Sequence, residues 1–218
     1  MNDIEIRFAE LKDVEKIMEL YETALEPCSN KAEREFLREK IIHHILHPSS
    51  HILTAWVGED LASFLIYVSD EKAFSNYLKS PKVLLRTLFR IILGFYGFNP
   101  FPVLKLFKRF LSRTSERVKT SSGEILQFPN AYMPAIATSA QFRGKGIAKT
   151  LMLKAIEHLK RLGHKEFASL VHLDNQIGIS VHKRLGFEQK TIIWRFEKPL
   201  ILFVKNLEEG DDLADNRT

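Results

Sequence analysis

The segment Gln141-Phe142-Arg143-Gly144-Lys145-Gly146-Ile147-Ala148 constrains this chain most, because of what flanks it. An apolar run, Met133 to Ala137, comes before it, and a helical pattern, Ile147 to Leu162, comes after. A strand, a glycine-spaced turn and a helix start, in that order, make an anion site. The glycines let the backbone turn tightly and approach a ligand closely. The first amides of the helix have no partner within it and carry the positive end of its dipole. A pyrophosphate is the natural guest.

Spacing separates the nucleotide motifs that share this physics. A phosphate-binding P-loop needs Gly-Lys-Ser/Thr at its end, and here Lys149-Thr150 follows Ala148. The dinucleotide fingerprint needs a small residue where Lys149 stands and a following βαβ unit with an acidic residue, and neither is found. What fits is Gln-x-x-Gly-x-Gly, read as Gln141, Gly144 and Gly146. A second segment runs Asn175-Gln176-Ile177-Gly178-Ile179-Ser180-Val181-His182-Lys183-Arg184-Leu185-Gly186-Phe187. Ile6-Arg7-Phe8-Ala9 with Asp13 opens the chain as a strand followed by a helix start.

Together these stretches resemble the GNAT superfamily of N-acyltransferases. The loop resembles that family's Arg/Gln-x-x-Gly-x-Gly/Ala, and the second segment its Asn-x-x-Ala-x-x-x-Tyr-x-x-x-Gly-Phe. The resemblance covers roughly 1–70 and 121–207. It implies an α/β (α+β) fold: a mixed, mostly antiparallel sheet with helices on both faces, here with a helical insertion. It also implies acetyl-CoA as co-substrate, bound where two central parallel strands splay apart. The loop from Gln141 to Ala148 (Phe142, Arg143, Lys145 and Ile147 included) would hold the pyrophosphate. The backbone of Ile136, Ala137 and Thr138 would meet the pantetheine arm, and Asn175 would bond to it or simply cap its helix. His182 stands where many members carry a Tyr that protonates the leaving thiolate. Imidazole can also donate a proton, so His182 is a candidate general acid, against an exposed helix histidine with water as the donor. Glu124 and His172 are candidate bases, each against a plain sheet-surface residue or a water chain. No covalent intermediate and no metal are implied.

At 218 residues the chain has room for one full core plus an insertion. Its 45% apolar and 27% charged residues are those of an ordinary globular protein. The lone Cys28 excludes an internal disulfide and fits a reducing, cytoplasmic setting. Met1 to Glu5 does not read as a signal peptide. The expected organisation is one N-acetyltransferase domain, 1–207, and an acidic tail, 208–218.

The net charge of +5 hides a split. From Lys72 to Thr120 there are 11 basic residues against Glu116 alone, leaving 21 basic and 26 acidic residues elsewhere. Within this insertion Lys82, Arg86 and Arg90 are spaced by four, with Val83, Leu84, Leu88 and Ile91 on other faces. Val103, Leu106, Phe107 and Phe110 make a second apolar stripe. The insertion reads as a basic helical hairpin. It is either a lid packed over the acceptor site or, through 82–113, a peripheral contact with an anionic membrane surface. Its longest charge-free run, Ile91 to Leu104, is too short to span a bilayer. Nucleic acid fits less well, since the aromatics read as core residues.

Two functions follow from different classes. One is transfer of an acetyl (acyl) group from coenzyme A to a primary amine by direct attack in a ternary complex. The acceptor is then a small-molecule amine or a protein amino group. The other is a non-catalytic acyl-CoA sensor that docks a membrane or an acidic partner through the basic insertion.

Overall fold

Alternating and apolar runs become strands, and the three-to-four-residue stripes become the helices that cover them. The computed structural model describes residues 4–96, 117–119, 125–195 and 198–208. Its first half holds β1 (Ile4–Phe8), α1 (Val14–Ala24), α2 (Lys31–Leu46), β2 (Ser50–Val57), β3 (Asp60–Val68), α3 (Glu71–Leu78) and α4 (Pro81–Ile92). Then come β4 (Arg117–Lys119), β5 (Ile125–Gln127), β6 (Tyr132–Thr138), α5 (Ile147–Arg161), β7 (Glu166–His172), α6 (Gln176–Arg184), β8 (Glu188–Arg195) and β9 (Lys198–Asn206). Glu124, the stripe from Val103 to Phe110 and the tail beyond Glu208 lie outside the described residues.

Seven strands form one sheet in the order β1-β2-β3-β6-β7-β9-β8, and β4 pairs with β5 apart from it. Every neighbouring pair in the large sheet is antiparallel except β6 and β7. This is the mixed, mostly antiparallel architecture expected. β3 is central and buried on both faces. Phe64 and Ile66 meet α1 and α2 through Ile17, Leu37 and Ile41. Leu65 and Tyr67 turn the other way, into a core with Leu151, Ala155 and Leu159 of α5 and Leu185 just after α6. Helices therefore cover both faces, and the sheet end between β6 and α5 is held from each side.

Asp13 stands at the head of α1 but does not cap it with its side chain. Its buried carboxylate instead accepts from the two terminal Arg7 guanidinium nitrogens, at 2.6 and 2.8 Å, and from the Glu10 amide at 2.8 Å. Burial alone would raise its pKa, but the Arg7 and Glu10 bonds outweigh that and hold it below 3.8. The pair fastens the end of β1 to the start of α1. By contrast, Asn30 caps α2 directly, accepting from the Glu33 amide at 3.0 Å.

Candidate active site

The loop after β6 is built to leave amides unspent. A short 3-10 turn, Ala140–Phe142, anchors it, with Phe142 packed against the core. Gly144 and Gly146 both sit at φ 76°, the left-handed region that costs a side chain energy. Nothing within 4 Å would obstruct a Cβ at either, so the glycines serve the turn and the open space above it. The first helical bond of α5 runs from the Thr150 amide to the Gly146 carbonyl at 3.0 Å. Among the described residues the amides from Gly144 to Lys149 make no hydrogen bond to the protein. The Arg143 amide is already engaged, at 3.3 Å from the Ala140 carbonyl. No acidic residue lies in the first turn of α5, so nothing there competes with an anion. Arg143 folds back through Nε to the Thr138 carbonyl at 3.2 Å, and the Lys145 ammonium lies 5.1 Å over the Phe142 ring.

Beside this loop the central sheet opens. β6 and β7 pair only at Tyr132↔Ala168 and Met133↔Ser169, though β6 continues to Thr138 and β7 to His172. The ladder between β3 and β6 shifts register between Ile66 and Val68, opposite Met133 and Pro134. Pro134 lies inside this bulge, where its missing N–H forfeits no regular ladder bond. A bulge bends its strand and changes which residues face which neighbour. Beyond it, the Ser139 amide bonds the Ala62 carbonyl at 2.9 Å, so Ala135, Ala137 and Ser139 face β3. By alternation the backbone groups of Ile136 and Thr138 face the opening toward β7. Ala137, expected at the cofactor, is turned away from it. Its carbonyl accepts from the buried Ser63 hydroxyl at 2.7 Å, and its side chain joins the α1–α2 core.

The far wall is α6. Asn175 caps it, accepting from the Gly178 amide at 2.8 Å. Gly178 is tied to that cap, because a Cβ there would meet Asn175 Nδ2 at 2.7 Å. His182 departs from both expectations for it. It is neither an exposed histidine nor a proton donor at the opening. It is 4% exposed, with Nδ1 2.7 Å from the Gly178 carbonyl and Nε2 2.9 Å from the Ser169 hydroxyl. Burial lowers its pKa below 6.5 despite the Gly178 bond. The neutral ring gives its one N–H to Gly178 and accepts from Ser169, so no proton is left for a leaving group. Burial likewise pushes the Cys28 thiol up to about 11, with Glu22 adding to the effect, which removes it as a nucleophile.

His172 ends β7, beyond the last pair with β6, and is exposed. Along β7, Phe167 and Val171 enter the α5 core and Ser169 meets His182, while Ala168 and Leu170 pack on the opposite face. Alternation puts His172 on that second face, the one covered by α1 and α2 elsewhere in the sheet. Among the described residues no group of three or more His, Cys, Asp or Glu side chains could hold a metal ion.

The sequence model of the acetyltransferase (GNAT) family matches residues 14–187. The chain belongs to the GNAT acetyltransferase family. An uncharacterized N-acetyltransferase of Methanocaldococcus jannaschii is 28% identical over 145 residues, covering 62% of this GNAT chain and 59% of the relative. The aminoglycoside N(6′)-acetyltransferase type 1 of Acinetobacter baumannii is 34% identical over 70 residues, covering 32% of this chain and 48% of the relative. The matches thus span about half of the length of these curated relatives. Among solved structures, the ribosomal-protein-S18-alanine N-acetyltransferase of Escherichia coli superposes with a TM-score of 0.57 at 13% identity, over 98% of this chain and 100% of that one. The PaiA N-acetyltransferase of Thermoplasma acidophilum, in complex with coenzyme A, gives 0.55 at 16% identity, over 94% and 99% of the two chains. At these identities the structures establish a shared GNAT fold.

Three residues that shape this GNAT site are absent from the sequence reading. Pro134 carries a signal, since a proline inside a strand pattern marks an edge or a bulge. Ser63 and Ser169 carry none, because each gains its meaning from a partner distant in sequence, Ala137 and His182 respectively.

Proposed function

We propose that this chain is an N-acyltransferase that moves an acetyl group from coenzyme A to a primary amine by direct attack in a ternary complex. The observation that carries this is a juxtaposition. Six successive unbonded amides, Gly144 to Lys149, adjoin a sheet opening lined by the backbone of Ile136 and the amide of Thr138, which no neighbouring strand pairs. The amides suit a pyrophosphate at a helix N-terminus. Gln141 and Phe142 hold the turn beneath them, Gly144 and Gly146 keep its surface open, and Ile147 and Ala148 begin the helix. Arg143 and Lys145 add positive charge. The Ile136 and Thr138 amides suit the carbonyls of an extended pantetheine arm, and the Asn175 Nδ2 group lies at the opposite wall.

Coenzyme A supplies the acyl group as a thioester. His172 takes the proton that an ammonium acceptor must lose before its nitrogen can attack. The new C–N bond forms as the C–S bond breaks, and the thiolate takes a proton from water. Holding the two reactants together supplies much of the rate. We read residues 1–207 as one acetyltransferase domain interrupted at 72–120. The relatives' names mention an aminoglycoside and a protein alanine, both of which present amines, and the acceptor class proposed here goes no further. The sensor reading has gained no observation of its own.

Calorimetric titration of acetyl-CoA tests the cofactor half. Gly144→Glu is expected to weaken binding by at least about tenfold, through charge and bulk at the loop. Equal affinity would overturn the assignment. Release of free thiol across an amine panel tests the catalytic half, and tight binding without turnover on any amine would favour the sensor.

A further inference from the structure

α4 is built inside out. Its inner face meets α2 through charge. Arg90 reaches Glu35 at 3.3 Å and the buried Glu39 at 3.2 Å, and Arg86 lies 3.6 Å from Glu39. Val83 is the one buried hydrophobic residue of the helix, with Ile91 packed near Tyr96. The outer face carries Leu85, Leu88, Phe89 and Ile92, exposed by 67%, 52%, 60% and 70%, and Leu93 follows at 56%. Their spacing of three and four residues makes them one continuous stripe along the helix. A soluble helix normally shows the reverse pattern, and a contiguous apolar patch of this kind marks an interaction surface.

The charges beside the stripe indicate what covers it. Lys79 and Lys82 are exposed at the start of the helix, along one margin of the stripe. From Lys72 to Tyr96 there are five basic residues and no acidic one. Among the described residues no helix is long and apolar enough to cross a membrane. A short helix with large apolar side chains on one side and lysines at its border matches an element that lies in the plane of an anionic lipid surface. We propose that the outer face of α4 docks on an anionic membrane surface, with Leu85, Leu88, Phe89 and Ile92 entering the acyl boundary and Lys79 and Lys82 meeting the headgroups. A second copy of the chain and the chain's own acidic segments are the competing occupants, and the outcomes below separate them from lipid.

Cosedimentation with phosphatidylcholine vesicles, with and without phosphatidylglycerol, tests this on the full chain. The protein should bind the anionic vesicles, fail to bind the neutral ones and be released by salt. Phe89→Asp with Ile92→Asp should abolish binding while leaving the circular dichroism, melting temperature and acetyl-CoA affinity unchanged. Lys79→Glu with Lys82→Glu, which leaves the apolar stripe intact, should weaken anionic binding by about tenfold or more. No binding to anionic vesicles, or equal binding by the charge-reversed variant, overturns the proposal. So does a dimer that the aspartate pair dissociates in the absence of lipid binding. A melting temperature that collapses in the aspartate variant would show the stripe to be covered by the chain itself, and would also overturn it.

Discussion

At the scale of single residues, the site separates side chains that shape it from those that could act in it. A methyl group placed on Gly144 would meet no neighbour within 4 Å, but the residue holds φ at 76°. Gly144→Ala should therefore cost only about 1 kcal/mol of stability, while acetyl-CoA affinity should fall by more on the proposed assignment, which puts the methyl group in the ligand's path. Denaturant melts alongside calorimetry would separate the two effects. The histidines divide in the same way. His172→Ala should lower kcat by about 10²- to 10⁴-fold while leaving acetyl-CoA affinity unchanged. His182→Gln removes a ring lodged between Ser169 and Gly178. It should leave kcat of the folded protein nearly unchanged and cost about 1–3 kcal/mol of stability. An unchanged kcat in the first variant would remove His172 from the reaction.

Among the elements, boundaries are legible in the sequence and facing directions are not. The pattern from Tyr132 to Thr138 predicts β6 where it lies, because an apolar run bounded by Pro129-Asn130 and the glycine loop carries its own punctuation. Which of its residues face the opening depends on a bulge, and a bulge belongs to a pair of strands, not to one. His182 eludes the pattern for a related reason. Gly178, His182 and Leu185 share one helix stripe, but only the fold shows that this stripe meets Ser169 and the core. α4 is the sharpest case. The four-residue spacing of Lys82, Arg86 and Arg90 is legible, yet nothing local says that Glu35 and Glu39 of α2 draw the last two inward. Arg90→Ala takes the nearest cation from both acids and leaves Glu35 only Arg38 at 3.7 Å and Glu39 only Arg86 at 3.6 Å, with a loss of about 1–3 kcal/mol expected. Amide exchange should then rise in α4 before it rises in the sheet.

For the molecule as a whole, acid should be the main vulnerability. Burial lowers the pKa of His43 and His51 from 6.5 to about 4, with positive neighbours adding to it, and lowers His47, His158 and His182 in the same direction. The unfolded chain binds protons at these sites more readily than the folded one. Stability is therefore complete above pH 6.5 and is lost as the pH falls toward about 4. A melting temperature that stays level from pH 7 to 4 would contradict this, and His43→Gln should shrink the slope. One further consequence follows from the brief contact between β6 and β7. The large sheet is two leaves, β1-β2-β3-β6 and β7-β9-β8, bound along a seam only two ladder pairs long. A molecule lodged beyond the seam would act as a pin through both leaves, so occupancy should be felt as stiffness far from the loop that grips it.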